Sequence, residues 1–330
     1  MSQLAGPQKG TYSIMPSQMM TNKPVNANDE DLIDGMIVGK PLSQPTSMSY
    51  CLQRIRLGEF CREMTDSEIF SMSDLAPNFE HTKQIDVKVC EFAASLPSFF
   101  SLDLDLEELK KVNPDRSTGV IMQRYIINFM LHTHRCRLHL PCLSRAIKDP
   151  TYEYSRNACM EAARLVLRTE RQLSSEMIPF VQARLKFSGI LHCLCVAIIA
   201  LLLEYCGRSP HQKKEGDDAE IFQAFAVLEG VKDKSPFAGK LLESFKTVLN
   251  RHRTSTSENQ SMEISDPANL RLTSSSTTFL PSVNSDDLSI DATLPALDDL
   301  WRAFDENSGP VTVDWDALFA GLDNSFSSMY

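Results

Sequence analysis

Five residues between positions 132 and 142, His132, His134, Cys136, His139 and Cys142, are of the types that hold a metal ion. On a helix His132, Cys136 and His139 share a face at i, i+4 and i+7. A structural zinc site asks for four ligands in paired short spacings, such as Cys-x2-Cys with a second pair, and that pairing is absent. Pro141 is expected to break the helix beside the third candidate, so no metal ligand is assigned. Cys193-Leu-Cys195 lies in an apolar stretch with one intervening residue. A redox pair would be Cys-x-x-Cys beside a βαβ unit, so buried thiols are the expectation here. The phosphate-cradling G-x-G-x-x-G, the P-loop, the G-x-S-x-G elbow and H-E-x-x-H are all missing. Asp103-Leu-Asp105 with Glu107-Glu108 reads as a solvated helix start. No catalytic or cofactor-binding residue is assigned, and the chain is expected not to be an enzyme.

The most specific chemistry lies near the C-terminus. Leu297, Leu300, Trp301 and Phe304 follow i, i+3, i+4, i+7 spacing, interleaved with Asp298, Asp299, Asp305 and Glu306. After Asn307-Ser-Gly-Pro310 the pattern returns as Trp315, Leu318, Phe319 and Leu322, with Asp314, Asp316 and Asp323. Each repeat holds one of the chain's two tryptophans, Trp301 at i+4 in the first and Trp315 at i in the second. Acidic neighbours keep bulky anchors solvated until they dock as a short helix in a partner's groove. Residues 288–326 are therefore expected to be an acidic activation segment contacting a transcriptional coactivator through these eight side chains. A terminal helix packed on the chain's own core is the competing reading.

Charge is distributed to match. The net charge of −10 is concentrated at one end: residues 254–330 carry thirteen acids and two bases, leaving thirty acids and thirty-one bases before them. A neutral body with an acidic tail is a poor independent binder of nucleic acid, because cations must neutralise phosphates. DNA is expected to be reached only indirectly. Nine scattered cysteines and an N-terminus without an apolar core segment point to a reducing compartment and free thiols.

The elements that must position these residues are helices. Residues 1–21 read as a flexible leader. Thr46 or Ser47 is a candidate N-cap for a helix carrying Leu52, Ile55 and Phe60. Residues 81–96 place Ile85, Val89 and Phe92 on one side and stop at Pro97. Residues 118–138 carry Ile121, Tyr125, Asn128, Phe129 and His132 at three- and four-residue steps. Asp149-Pro150 caps a helix over 151–172, whose stripe of Ser155, Cys159, Ala162 and Val166 invites a close neighbour. Phe187–Leu203 carries no formal charge; being shorter than the about twenty residues of a membrane span and holding His192, it predicts a buried helix and no membrane. Helices over 217–229 and 236–251 follow, the first with Asp217 or Asp218 as its candidate cap. Residues 253–287 form a Ser/Thr-rich linker. The class is all-α.

Two segments resemble a known family. His139, Pro141 and Leu143, followed by Ser155, Cys159, Ala162 and Ala163, match the His-x-Pro-hydrophobic-Leu turn and Ser-x-x-x-Cys-x-x-Ala-Ala helix of the fungal-specific transcription factor domain. That domain is the central regulatory part of fungal zinc-cluster transcription factors. Asn28-Asp-Glu-Asp-Leu32, Pro45-Thr-Ser-Met-Ser49 and Ile55-Arg-Leu57 resemble it as well. The resemblance spans about residues 22–252 and implies an irregular multi-helix regulatory domain, with a disordered leader before it and the acidic tail after it. It further implies a nuclear transcription regulator of a pathway such as secondary metabolism, acting as a homodimer or as a heterodimer with a DNA-binding relative. The family's six-cysteine zinc cluster is not among these 330 residues. Zinc is expected only with such a cluster upstream, left out of the gene model or splice form; otherwise an accessory protein reaching DNA through a partner is expected. The alternative class is a small-molecule-binding or catalytic protein that reuses the helical scaffold.

Overall fold

A computed structural model of the chain describes residues 20–70, 79–105, 107–108, 111, 117–146, 149–178, 180–183, 188–208, 217–230, 232–233 and 238–250. The described residues are all-α apart from one short hairpin. The helices are α1 (Ser49–Phe70), α2 (Phe79–Ala94), α3 (Ser117–Ala146), α4 (Glu153–Ser174), the single turn α5 (Phe180–Ala183), α6 (Ser188–Gly207) and α7 (Asp217–Glu229). A last helix, α8, covers 238–250. Two compact units divide at Ala200–Leu201.

In the first unit, a loop ahead of α1 is tied to itself through one side chain. Asn26, 5% exposed, donates from Nδ2 to the carbonyls of Lys40, Pro41 and Gln44 at 3.2, 2.9 and 3.2 Å. Its Oδ1 accepts from the hydroxyls of Thr46 at 2.7 Å and Ser49 at 2.9 Å. Of the two candidate caps for α1, Thr46 acts: its hydroxyl accepts the Met48 amide at 3.2 Å, while the Ser47 amide goes to Asn28 Oδ1 at 2.8 Å. Asp31 reaches back to the Asn28 amide at 2.7 Å and pairs with Lys40 at 2.7 Å. The two motif segments of this region are thus a hydrogen-bonded knot that fixes where α1 begins. Asn26→Ala would take a partner from three part-buried carbonyls and from the buried Thr46 and Ser49 hydroxyls, at about 1–3 kcal/mol each where water cannot replace the amide. The expected result is amide exchange rising selectively over residues 26–49, with slower change in α3 and α4.

Inside this loop, β1 (Leu32–Ile33) pairs antiparallel with β2 (Met36–Ile37) around Asp34-Gly35. Both turn residues have positive φ, 49° and 78°, as a type I′ hairpin requires. The Asp-Gly signal was in the sequence, but two-residue strands are too short for alternation to show.

The long pairing of the fold is α3 on α4. Ile121, Tyr125, Asn128 and Phe129 are buried as their spacing predicts, and Asn128 Nδ2 donates to the Phe100 and Arg124 carbonyls at 2.8 Å each. On α4 the small stripe of Ser155, Cys159, Ala162 and Val166 is at 0% exposure, which lets α3 approach until Cys136 Sγ and Cys159 Sγ are 3.8 Å apart. Asp149 accepts the Thr151 amide at 2.9 Å, with Pro150 at the first position; the opening turn is 3-10 rather than α, and α4 proper starts at Glu153.

One expectation fails here. Pro141 does not break the helix: α3 runs through it to Ala146. The ring removes the amide that would bond the Arg137 carbonyl, a cost of about 3 kcal/mol. Cys136, His139, Cys142 and Leu143 are each at 0% exposure around it. Burial at about 1.5–3 kcal/mol per large apolar side chain outweighs one lost bond.

Gly189–Gly207 is long and apolar enough to cross a membrane, with mean hydropathy 2.2, but 89% of that window is buried inside the protein. In the second unit α7 carries Ile221, Ala224, Phe225 and Leu228 inward, and Phe225 stacks on Phe245 of α8 at 6.3 Å. Glu229 at the end of α7 pairs with Lys246 at 3.0 Å. The linker 253–287 and segment 288–326 lie outside the described residues.

Candidate functional site

Two of the residues that carried the sequence resemblance, His139 and Ser155, belong to a cluster around one buried carboxylate. Asp86 enters from α2, beside the apolar stripe of Ile85, Val89 and Phe92, and its side chain is at 0% exposure. Its Oδ1 accepts from Arg135 Nε at 2.7 Å and lies 3.2 Å from His139 Nε2. Its Oδ2 accepts from Arg135 Nη2 at 3.2 Å and from the Tyr154 hydroxyl at 2.7 Å. Arg135 and His139 are one turn apart on α3, so both face α2. His139 Nδ1 then meets Ser155 Oγ at 3.0 Å, and Arg135 Nη1 donates to Glu161 at 2.7 Å. Three helices are pinned at this junction.

Electrostatics follow from that geometry. Burial alone would push the Asp86 carboxyl up; the bonds from His139, Arg135 and Tyr154 outweigh it and hold the carboxyl well below its usual range. Burial works against the Arg135 charge, and Asp86 more than restores it. The Tyr154 hydroxyl is pushed up to about 12 by burial and then by its bond to Asp86.

The order Asp86–His139–Ser155 has the connectivity of a hydrolase triad. All three are at 0% exposure within helix packing, so no substrate carbonyl reaches Ser155, and Arg135 occupies the carboxylate from the other side. The arrangement is a structural lock. His132, Cys136 and His139 do not converge on an ion: Cys136 faces Cys159, and His139 is held by Asp86 and Ser155. No group of three or more metal-ligating side chains forms among the described residues. All nine cysteines are free thiols, most of them buried.

Buried histidines add a pH dependence. Burial lowers His132 to about 4 and His134 and His192 to about 3, so all three are neutral in the folded chain at pH 7. The unfolded chain takes up protons on them near pH 6.5, the folded chain only near pH 3–4. Between those limits the unfolded state binds more protons, so stability falls as pH drops from 6.5 towards 4. Asp86 is depressed instead, and its contribution is lost as pH falls below the ordinary carboxylate value. Urea midpoints measured from pH 7.5 to 4.5 should decline continuously, and His192→Leu should flatten the upper part of that slope.

The anchors Leu297, Leu300, Trp301, Phe304, Trp315, Leu318, Phe319 and Leu322 lie outside the described residues. Sequence reasoning missed Asp86, Arg135 and Tyr154. Asp86 left one signal, a charged residue adjoining an apolar helical stripe, but its partners come from 49 and 68 positions away.

The curated proteins similar to this chain are transcription factors of fungi, and none of those found is named as an enzyme. One is named "Probable transcription factor lepB", from Aspergillus flavus, 30% identical over 97% of this chain and 59% of its own length. The agnestins biosynthesis cluster transcription factor of Paecilomyces divaricatus is 28% identical over 74% of the chain and 35% of its own. The Zn(2)-C6 fungal-type transcription factor pigI of Monascus ruber is 28% identical over 63% and 25%. The chain thus spans a quarter to three-fifths of the length of these relatives. No protein-family profile matches the chain. No solved structure matches it either.

Proposed function

We propose that this chain is the regulatory part of a transcription regulator of the fungal zinc-cluster type, nuclear, and controlling a pathway such as secondary metabolism. The helical region 22–252 is its regulatory domain. The acidic segment 288–326 contacts a coactivator. DNA is reached through a six-cysteine module on the same protein or through a dimer partner that has one. The observation that carries the reading is the 30% identity to a named transcription factor along 97% of the chain. The naming of another relative for a biosynthesis cluster supports the pathway class.

The test is transcript profiling after disruption of the gene. A small set of neighbouring genes should lose expression and recover on complementation. An unchanged transcriptome under conditions where the protein is made would overturn the reading.

A further inference from the structure

The loop ahead of α1, together with α1 and α2, encloses an open groove of 1270 Å³. That is somewhat larger than the about 300–1,000 Å³ usual for small-molecule sites. Leu52, Phe60 and Phe92 give it apolar lining, and its lysines and arginines outnumber its glutamates five to three. Two of those pairs neutralise each other, Lys23 with Glu59 at 2.7 Å and Lys88 with Glu63.

Arg56 is different. Its Nη1 donates to Gln53 Oε1 at 2.9 Å, its Nη2 to Ser95 Oγ at 2.8 Å, and its guanidinium lies 5.1 Å from the Phe92 ring centroid. These partners are neutral, so they fix the cation in place without cancelling its charge. A guanidinium held over an aromatic ring by neutral partners suits a planar oxyanion. Gln53, in the same wall, supplies an independent sign. It is at 0% exposure, its Oε1 is committed to Arg56, and its Nε2 has no hydrogen-bond partner. Buried donors are ordinarily satisfied, and this one is left open in the helix turn that carries Arg56.

We propose that this groove binds a small amphipathic anion: an aromatic or aliphatic body carrying one carboxylate or similar oxyanion. Arg56 takes the charge, and Phe60 and Phe92 cover the apolar body. The site is independent of the acidic tail and goes beyond the assignment to transcription, since it gives the helical region a ligand class.

Two fluorescent probes that differ chiefly in charge test it on the full chain: 1-anilinonaphthalene-8-sulfonate and the neutral N-phenyl-1-naphthylamine. The sulfonate should bind one site, at least about tenfold more tightly than the neutral dye. Arg56→Gln should lose about tenfold for the sulfonate and leave the neutral dye unchanged, with the helical circular dichroism signal intact. Should Arg56→Gln fail to fold, Lys88→Glu on the exposed rim carries the test, with a loss for the sulfonate alone. Equal binding of the two dyes, or full sulfonate affinity in a folded Arg56→Gln chain, would overturn the proposal. So would a rise in affinity on deleting residues 288–330, which would mean that the chain's own tail fills the groove.

Discussion

Replacing Asp86 by alanine should cost about 3–5 kcal/mol of stability. Asp86 is an acceptor shared by Arg135, His139 and Tyr154 at the junction of α2, α3 and α4. Its removal leaves Arg135 with the exposed Glu161 as its remaining ion partner and takes from His139 the contact at Nε2. Breaking a buried pair from one side is expensive because the remaining charge keeps its desolvation cost. A domain holds only about 5–15 kcal/mol in total, so the variant should sit near the edge of folding. In urea, at a slope of about 1–3 kcal/mol per molar, the midpoint should fall by at least about 1 M. Asp86→Asn should lie between, since it keeps an acceptor for Tyr154 or Arg135. Adding Arg135→Met should recover part of the loss, because the orphaned cation goes with it. A midpoint unchanged in Asp86→Ala would show that the junction contributes nothing.

The second large effect concerns activity and leaves the fold alone. Changing Trp301, Phe304, Trp315 and Phe319 together to alanine should reduce reporter activation to background when the chain is tethered to a promoter. The four side chains are the bulkiest anchors of the two i, i+3, i+4, i+7 repeats. Aromatic anchors dominate the energetics of helix-in-groove recognition, and each is worth about 2 kcal/mol or more when it fills a pocket. The same variant should show the wild-type urea midpoint, as the proposed separation of the helical region from the tail requires. Changing Asp298, Asp299, Asp314 and Asp316 to asparagine should weaken activation less and make it less sensitive to salt, since exposed charges steer more than they hold. A drop in the urea midpoint of the four-alanine variant would instead favour a tail packed on the chain's own core.

Legibility in the sequence varied with the range of the forces involved. The helices of α2, α3, α4, α7 and α8 were readable because a 3.6-residue apolar repeat is local, and α7 at Asp217–Glu229 was placed to the residue. The cap at Asp149-Pro150 was readable for the same reason. Pro141 was misread because its cost is local and its compensation is not: Cys136, His139, Cys142 and Leu143 are buried by other helices. The role of His139 could not be found from its neighbours in sequence, since its partners are Asp86 and Ser155 on two different helices. The small stripe on α4 was correctly read as packing, because no chemistry is needed to explain Ser, Cys and Ala at one helical face. Gln53 drew no notice, and Arg56 entered only as the middle residue of the Ile55-Arg-Leu57 segment, as one turn of a helix with mixed residues looks like any solvated face.

Whether this chain drives transcription is tested directly by one measurement. The full chain is fused to an unrelated DNA-binding domain and expressed in a fungal host with a reporter carrying that domain's site. Strong activation by the fusion, absent from the DNA-binding domain alone, is the predicted result. A nuclear, stably expressed fusion that leaves the reporter silent would contradict the account.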